Sequence, residues 1–254
     1  MQDNWPDRGR PLVVGHRGAM GYAPENTMAS FELALELGAD VIELDVHLSR
    51  DDEVVVIHDE ELERTTDGHG LVREHTLAEL RRLDAGGWFA PRFAGQRIPT
   101  LDEVLGWARH NGGPRGPHIA IEIKNGPIFY PGIEARVVEL LERHAMRGRA
   151  LVISFDHHAL RRVRALDGEV LSGVLYGGRP IDAVPLAQAA GAQVLEPHWS
   201  FVTAEDVAGA HAAGLRVCAW ATSEAATLRR LLAAGVDAIA TNHPDVLAQL
   251  VRKA

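Results

Sequence analysis

One local pattern recurs along this chain and constrains its fold more than any other feature. An Ala/Leu-rich stretch ends at a glycine, and a short apolar run follows. Residues 35–38 lead into Val41-Ile42-Glu43-Leu44-Asp45, and residues 187–191 lead into Val194-Leu195-Glu196. Residues 211–214 lead into Val217-Cys218-Ala219-Trp220, and residues 231–235 into Ala238-Ile239-Ala240. Alanine and leucine favour helix. Glycine closes a helix in the left-handed conformation without a Cβ clash. Short apolar runs suit strands buried on both faces, as in a parallel sheet.

Eight such strands are predicted, at 12–15, 41–46, 118–124, 150–155, 170–176, 193–196, 216–222 and 237–241. Helical segments lie between most of them, for example 27–37, 133–143 and 204–213. Eight strands alternating with helices over about 250 residues is the arithmetic of a TIM (β/α)8 barrel, with an open doubly wound sheet as the alternative. A ninth run, 53–58, lies too close to the second strand for a parallel crossover, which needs a dozen or more residues. Arg50-Asp51-Asp52 is therefore read as a hairpin turn, with 54–58 folding back antiparallel. Residues 59–117 then form an insertion, with helical patterns at 77–83 and 101–109 and a Gly/Trp/Phe/Pro-rich loop from 86 to 99. Long loops inside compact domains are usually functional. No independent second core, linker or low-complexity segment is visible, so residues 1–254 are expected to form one barrel domain.

Composition excludes several classes. The net charge of −9 argues against a broad nucleic-acid footprint, though a local basic pocket for a small anion remains open. Cys218 is the sole cysteine, which rules out an intrachain disulfide and a cysteine zinc cluster. No apolar run approaches the ~18 residues of a membrane span, and no basic amphipathic helix suggests an anchor. Residues 1–10 lack the layout of a signal peptide, so a cytoplasmic location is expected. Only Lys124 and Lys253 are lysine among 26 basic residues, and Lys253 is in the tail.

In a TIM barrel the chemistry sits at the C-terminal strand ends. The first strand ends in His16-Arg17-Gly18, the second carries Glu43 and Asp45, the third carries Glu122 and Lys124, and the seventh ends near Trp220. Residues two apart on a strand share a face, so three carboxylates and one ammonium converge if the strands are neighbours. Crowded carboxylates repel unless they share positive charge. Lys124 supplies one, and a hard divalent cation on oxygen ligands would supply the rest. The blander alternative is an internal ion-pair network. Arg17 suits a phosphate through its planar fork. His58, at the end of the return strand and roughly opposite Glu43, can give or take a proton near neutrality. His69, His75, His110, His144, His157 and His211 are read as surface or structural, and Cys218 as a small buried hydrophobe. Phe129, Tyr130, His198 and Trp199 are either cleft lining or ordinary loop packing. Phosphodiester cleavage needs this set: a proton acceptor, a proton donor, and positive charge at the phosphate. No Gly-x-x-x-x-Gly-Lys loop, His-Glu-x-x-His helix or Gly-x-Ser-x-Gly elbow is present.

An ordered set of motifs spans residues 12 to 247. It comprises His16-Arg17-Gly18, Pro24-Glu25-Asn26-Thr27, Ile42-Glu43-Leu44-Asp45-Val46, His58-Asp59, Leu62-x-Arg64-Thr65-Thr66-Asp67-Gly68 and Ile121-Glu122-Ile123-Lys124. Ser154-Phe155, Trp220, Gly235-Val236-Asp237-Ala238-Ile239 and Thr241-Asn242-x-Pro244-Asp245 complete it. The set resembles the glycerophosphodiester phosphodiesterase family. The resemblance implies a distorted TIM barrel with a small insertion after the second strand. It also implies metal-dependent hydrolysis of small glycerophosphodiesters to glycerol 3-phosphate and an alcohol. Carried over by residue, it makes Glu43, Asp45 and Glu122 ligands of one divalent cation (magnesium, calcium or manganese). His16 and His58 become the acid–base pair, Arg17 and Lys124 the phosphate contacts, and Glu25, Asn26 and Trp220 further substrate-site residues. Two departures, Ala221-Thr222-Ser223 after Trp220 and Asn242 where the family commonly has Asp, are expected to touch neither the metal nor the histidines. The rival functions are a lysophospholipase D or sphingomyelinase D type enzyme on the same fold, and a non-catalytic binder of phosphate compounds.

Overall fold

Strand β2, Val41–Leu48, is buried along its whole length, and alternation along it separates two interiors. Ile42, Leu44, Val46 and Leu48 join a large apolar cluster shared with the surrounding helices. Val41 belongs to a second cluster inside the barrel, and Glu43, Asp45 and His47 share its face. The computed structural model describes residues 5–6, 8–111 and 116–252. Part of the polar N-terminal stretch (1–4 and 7) and Lys253 lie outside the described residues.

Eight parallel strands close into a barrel. They are β1 (Leu12–Gly15), β2, β4 (His118–Ile123), β5 (Ala150–Ser154), β6 (Leu171–Tyr176), β7 (Val194–Pro197), β8 (Arg216–Ala219) and β9 (Ala238–Thr241). Closure comes from β1, which pairs with β9 on one side and β2 on the other. A short strand, β3 (Val54–Val56), returns antiparallel to β2 with Val46 opposite Val56 and Leu48 opposite Val54. The predicted hairpin is therefore present, and the open doubly wound sheet is not. Predicted strand 216–222 is shorter in the structure, ending at Ala219, although Trp220 still donates its N–H to Pro197 O of β7 and Thr222 donates to Ala240 O of β9.

Eight helices wrap the barrel: α1 (Met28–Glu36), α3 (Leu101–His110), α4 (Ile133–Arg143), α5 (His157–Leu166), α6 (Val184–Ala190), α7 (Ala204–Ala212), α8 (Ala225–Ala234) and α9 (Pro244–Val251). Their starts follow capping chemistry: the hydroxyls of Thr27, Thr100 and Thr203 each accept a backbone N–H from the first turn. Helices α6 and α8 end on Gly191 and Gly235 at φ +72° and +86°, where the sequence pattern places them.

The segment after β3 holds α2 (Leu77–Leu80), shorter than the predicted 77–83. It also has a small apolar cluster of its own, formed by Val55, Ile57, Leu62, Val72, Leu80, Ala85 and Ile98. This cluster is a satellite of the main core, since Val55 lies on β3 between Val54 and Val56, which belong to the large cluster. Its residues are scattered singly among polar ones, so no periodic run announces them. Among the described residues no helix is long and apolar enough to cross a membrane.

Phe31 is fully buried between α1 and the barrel wall. Phe31→Ala is expected to destabilise the fold by about 3–5 kcal/mol. Urea unfolding should show this as a lower midpoint at unchanged slope.

Candidate active site

Strand register brings the acidic groups together. Asp45 on β2 sits directly beside Glu122 on β4, and Glu43 beside Ala120. Gly15 of β1 pairs with Ile42, so the chain leaves β1 level with Glu43. Adjacent residues on a strand would face opposite ways, yet His16 and Arg17 line the same cavity. The cause is backbone geometry: Arg17 adopts φ +50°, in the left-handed region. That conformation costs a non-glycine residue about 1–3 kcal/mol unless its surroundings hold it. Here Arg17 N–H donates to Glu43 Oε2 at 2.7 Å, and Arg17 O accepts from the Ser30 hydroxyl at 2.9 Å.

The charges interlock around Asp45. Lys124 Nζ lies 3.0 Å from Asp45 Oδ1 and 2.6 Å from Glu122 Oε1. Arg17 Nε lies 3.2 Å from Asp45 Oδ2, and Arg17 Nη1 lies 2.9 Å from Glu25 Oε1. Asn26, itself at φ +57°, donates from Nδ2 to Asp45 Oδ2 at 2.8 Å. Burial works against ionised Asp45, but Lys124 and Arg17 outweigh it and hold this carboxyl well below its usual range. Glu43 is pushed well above its usual value by burial and then by Asp45 and Glu122. Burial lifts Glu122 to about 7 against the pull of Lys124.

These residues fit a divalent cation. One oxygen from each of Glu43, Asp45 and Glu122 lies within 4.8 Å of the others. Asp45 Oδ1 is buried without an aligned hydrogen bond, despite the nearby ammonium. The protein's own positive charge does not suffice to ionise all three carboxyls, and the donors are all oxygen, which suits magnesium, calcium or manganese.

The two histidines have different partners. His16 Nδ1 lies 2.8 Å from Asn242 Oδ1. An amide oxygen only accepts, so Nδ1 carries the proton and Nε2 is left as the basic atom. Burial, then Arg17, pushes His16 down to about 4. His58 Nδ1 instead pairs with the Asp59 carboxylate, which Arg64 also grips. Burial lowers His58 too, while Asp45 pulls it back up. The expectation that Asn242 touches neither histidine is thus corrected: it is the partner of His16, across the β1–β9 junction.

Trp220 lines the cavity; its indole N–H donates to Glu196 O at 2.7 Å, and Phe155 meets its ring edge-on at 5.4 Å. The cavity holds about 280 Å³, and Val14, Val41, Ala120, Leu151 and Ala240 line its apolar part inside the barrel. Glu25 and Asn26 stand behind Arg17 and Asp45 rather than on the cavity wall. Glu25 is clamped between Arg17 and both terminal nitrogens of Arg64, at 2.8 Å each. Burial opposes its ionisation, but the two guanidiniums, Arg64 foremost, hold it below the usual value. His198 lines the cavity, whereas Trp199 packs against the outer core. Tyr130 is buried, and its hydroxyl lies 2.9 Å from His47 Nδ1, so it is packing rather than cleft lining. Cys218 is buried as expected.

Sequence reasoning assigned no role to His47, Asp59, Arg64 or Glu196. His47 lies on the inward face two residues beyond Asp45, a spacing that signals it; its Nε2 donates to His58 O at 2.9 Å. Burial pushes His47 down to about 4, which keeps it neutral for that arrangement. Glu196 faces the cavity, and burial lifts it to about 8.

A cation entering this site displaces protons. With Glu122 at about 7 and Glu43 also raised, binding releases protons from both, and apparent magnesium or manganese affinity should be at least tenfold weaker at pH 6 than at pH 8. Proton uptake by the buffer should accompany binding. Calorimetric titration in buffers of different ionisation enthalpy measures both effects, and pH-independent affinity would contradict the assignment.

Residues 16–246 match the glycerophosphoryl diester phosphodiesterase family. The chain is 40% identical over 244 residues to a glycerophosphodiester phosphodiesterase of Caldanaerobacter subterraneus subsp. tengcongensis, covering 96% of this chain and 99% of the relative. It is 34% identical to a glycerophosphodiester phosphodiesterase of Bacillus subtilis, covering 95% of this chain and 86% of that one. Among solved structures, an Oleispira antarctica phosphodiesterase in complex with the product sn-glycerol-3-phosphate superposes with a TM-score of 0.86 at 33% identity, over 97% of this chain and 98% of that one. The Agrobacterium tumefaciens glycerophosphodiester phosphodiesterase superposes with a TM-score of 0.82 at 32% identity, over 94% and 99% of the two chains. Matching along nearly its whole length, with the acidic and histidine motifs gathered at the mouth of a closed barrel, the chain belongs to the glycerophosphodiester phosphodiesterase family of phosphoric diester hydrolases.

Proposed function

We propose that this enzyme hydrolyses glycerophosphodiesters to glycerol 3-phosphate and an alcohol, with His16 as general base, His58 as general acid and a divalent cation on Glu43, Asp45 and Glu122. The observation that carries the split of roles is the contrast in histidine partners. Burial and neighbouring Arg17 keep His16 neutral and able to accept a proton, against the upward pull of Asn242, whose amide oxygen fixes the proton on Nδ1. His58 faces the Asp59 carboxylate, which stabilises an imidazolium able to donate one. The bound product of the Oleispira antarctica relative supports the substrate class.

A cation on the three carboxylates would neutralise phosphate charge and polarise its oxygens. The chain's own groups do the rest. His16 Nε2 takes the proton from the attacking oxygen, the glycerol 2-hydroxyl or a water. Arg17 and Lys124 meet the charge that develops on the phosphoryl oxygens. His58 Nε2 returns a proton to the departing alkoxide. Attack by the 2-hydroxyl forms a cyclic phosphate, which water then opens with the two histidines in exchanged roles. Segment 59–117 belongs to the same working unit, because its Asp59 and Arg64 hold His58 and Glu25 in place.

His16→Ala and His58→Ala should each lower kcat about 100- to 10,000-fold. A nitrophenyl ester, whose leaving group needs no proton, should restore most of the loss in His58→Ala and little in His16→Ala. Equal rescue of both variants, or of neither, overturns the split. Asn242→Asp places a carboxylate on His16 and should raise its pKa. The acidic limb of the kcat/KM profile, where the base must lose its proton, then moves to higher pH. An unmoved limb would remove His16 as the base.

A further inference from the structure

Beside the catalytic cavity runs a second groove of about 520 Å³, and the two share His58, Glu122, Lys124 and Phe155. Its size suits a small ligand group. Two of the five large hydrophobic side chains most exposed among the described residues stand on it: Phe129, 64% exposed, and Phe155, 50% exposed. Exposed aromatic faces grouped at a groove mark a binding surface more often than scattered ones do.

The segment carrying Phe129 is pinned from both sides. Asn125 Oδ1 accepts the Tyr130 N–H at 2.8 Å, and Asn125 Nδ2 donates to Asp156 Oδ2 at 2.9 Å. Phe155 is set by its edge-on contact with Trp220. The Phe155 ring and the backbone that carries Phe129 are thus held beside the space next to His58.

The charge of the groove is one-sided. Beyond Glu122, Lys124 and His58, which belong to the catalytic site, its charged lining is Glu60 and Asp156, and no arginine lines it in a chain otherwise rich in arginine. Lys124 is already committed to Asp45 and Glu122. Asp156 is shared with Arg162 at 3.0 Å, whereas Glu60 is half-buried and forms no ion pair among the described residues. Carboxylates and aromatic faces together attract an ammonium group, and methylated ammonium above all, through charge and cation–π interaction.

We infer that this groove seats the leaving alcohol and selects headgroups that carry an ammonium: the geometry places Phe129, Phe155 and Glu60 around the alcohol that departs from beside His58. The inference rests on the proposed role of His58. Orientation follows from it, since the glycerol phosphate remains by Arg17 and the carboxylates while the ammonium end points outward between the rings.

The test compares kcat/KM for glycerophosphocholine, glycerophosphoethanolamine and glycerophosphoglycerol at saturating magnesium. The choline diester is expected to exceed glycerophosphoglycerol about tenfold, with the ethanolamine diester between them. Phe129→Ala and Glu60→Gln should each bring that ratio down at least threefold, mainly through KM for the choline diester. Both positions are surface-accessible, and circular dichroism would verify that the variants fold. A ratio near one in the unsubstituted enzyme, or a ratio unchanged in both variants, overturns the headgroup site and leaves the hydrolytic reaction standing. Failure to cleave any of the three diesters overturns the proposed reaction, and the headgroup site with it.

Discussion

Asp45 is the point on which the site depends. It is fully buried, yet it stays ionised because Lys124, Arg17 and Asn26 converge on its two oxygens. A carboxylate withdrawn from water persists only if nearby charge and hydrogen bonds replace its hydration. That demand propagates outward. Arg17 must reach back over the barrel mouth, so its backbone turns left-handed, and Glu43 accepts the amide N–H that this turn exposes. Asn26 takes the same unusual conformation in order to place its amide on Asp45. The 17–26 loop is therefore shaped by one buried charge more than by its own propensities.

The barrel wall explains why room remains for chemistry. Outward-facing positions on β4 are Ile119, Ile121 and Ile123, all fully buried against helices. Inward-facing positions mix large residues, such as Leu12, Leu151, Ile153 and Leu175, with smaller or polar ones: Ala120 and Glu122 on β4, Ala238 and Ala240 on β9, Cys218 on β8. Stability is concentrated in the outer shell, where large side chains interlock. The inner face is left underfilled, and the cavity that opens to the carboxylates results from that division.

Much of this was legible in the sequence. Repeating helix–glycine–strand units gave the barrel, because the left-handed closures at Gly191 and Gly235 are local and need no partner. Spacing of two placed Glu43 with Asp45 and Glu122 with Lys124 on one inward face, because alternation along a strand is a property of the backbone alone. What escaped depends on long-range partners. Asn242 meets His16 across a separation of 226 residues, through the ring closure of β1 on β9. The co-orientation of His16 and Arg17 depends on a backbone angle that side-chain patterning does not encode. The cluster under the insertion draws single residues from a long stretch without period, and Tyr130 became packing because His47, itself overlooked, needed a hydroxyl partner.

The polar network runs as one chain of alternating sign through the site. From His58 it passes to Asp59, Arg64, Glu25, Arg17, Asp45, Lys124 and Glu122, each in ion-pair contact with the next. Glu25, Arg17, Asp45, Lys124 and Glu122 are largely buried and poorly screened by water, whereas Arg64, at 44% exposed, reaches solvent. Removing one member leaves its two neighbours facing uncompensated charge, which is more costly than the loss of a single contact. The alternation also links the two histidines physically. Arg17, next to His16, and Asp59, beside His58, are three contacts apart, through Glu25 and Arg64. Arg64 and Asp59 come from the segment after β3, so that segment completes the surroundings of His58 and, through Glu25, also braces Arg17. In this arrangement the insertion is coupled electrostatically to the barrel, and the two histidines sit in different surroundings: His58 ends the chain on Asp59, and His16 lies outside it on Asn242.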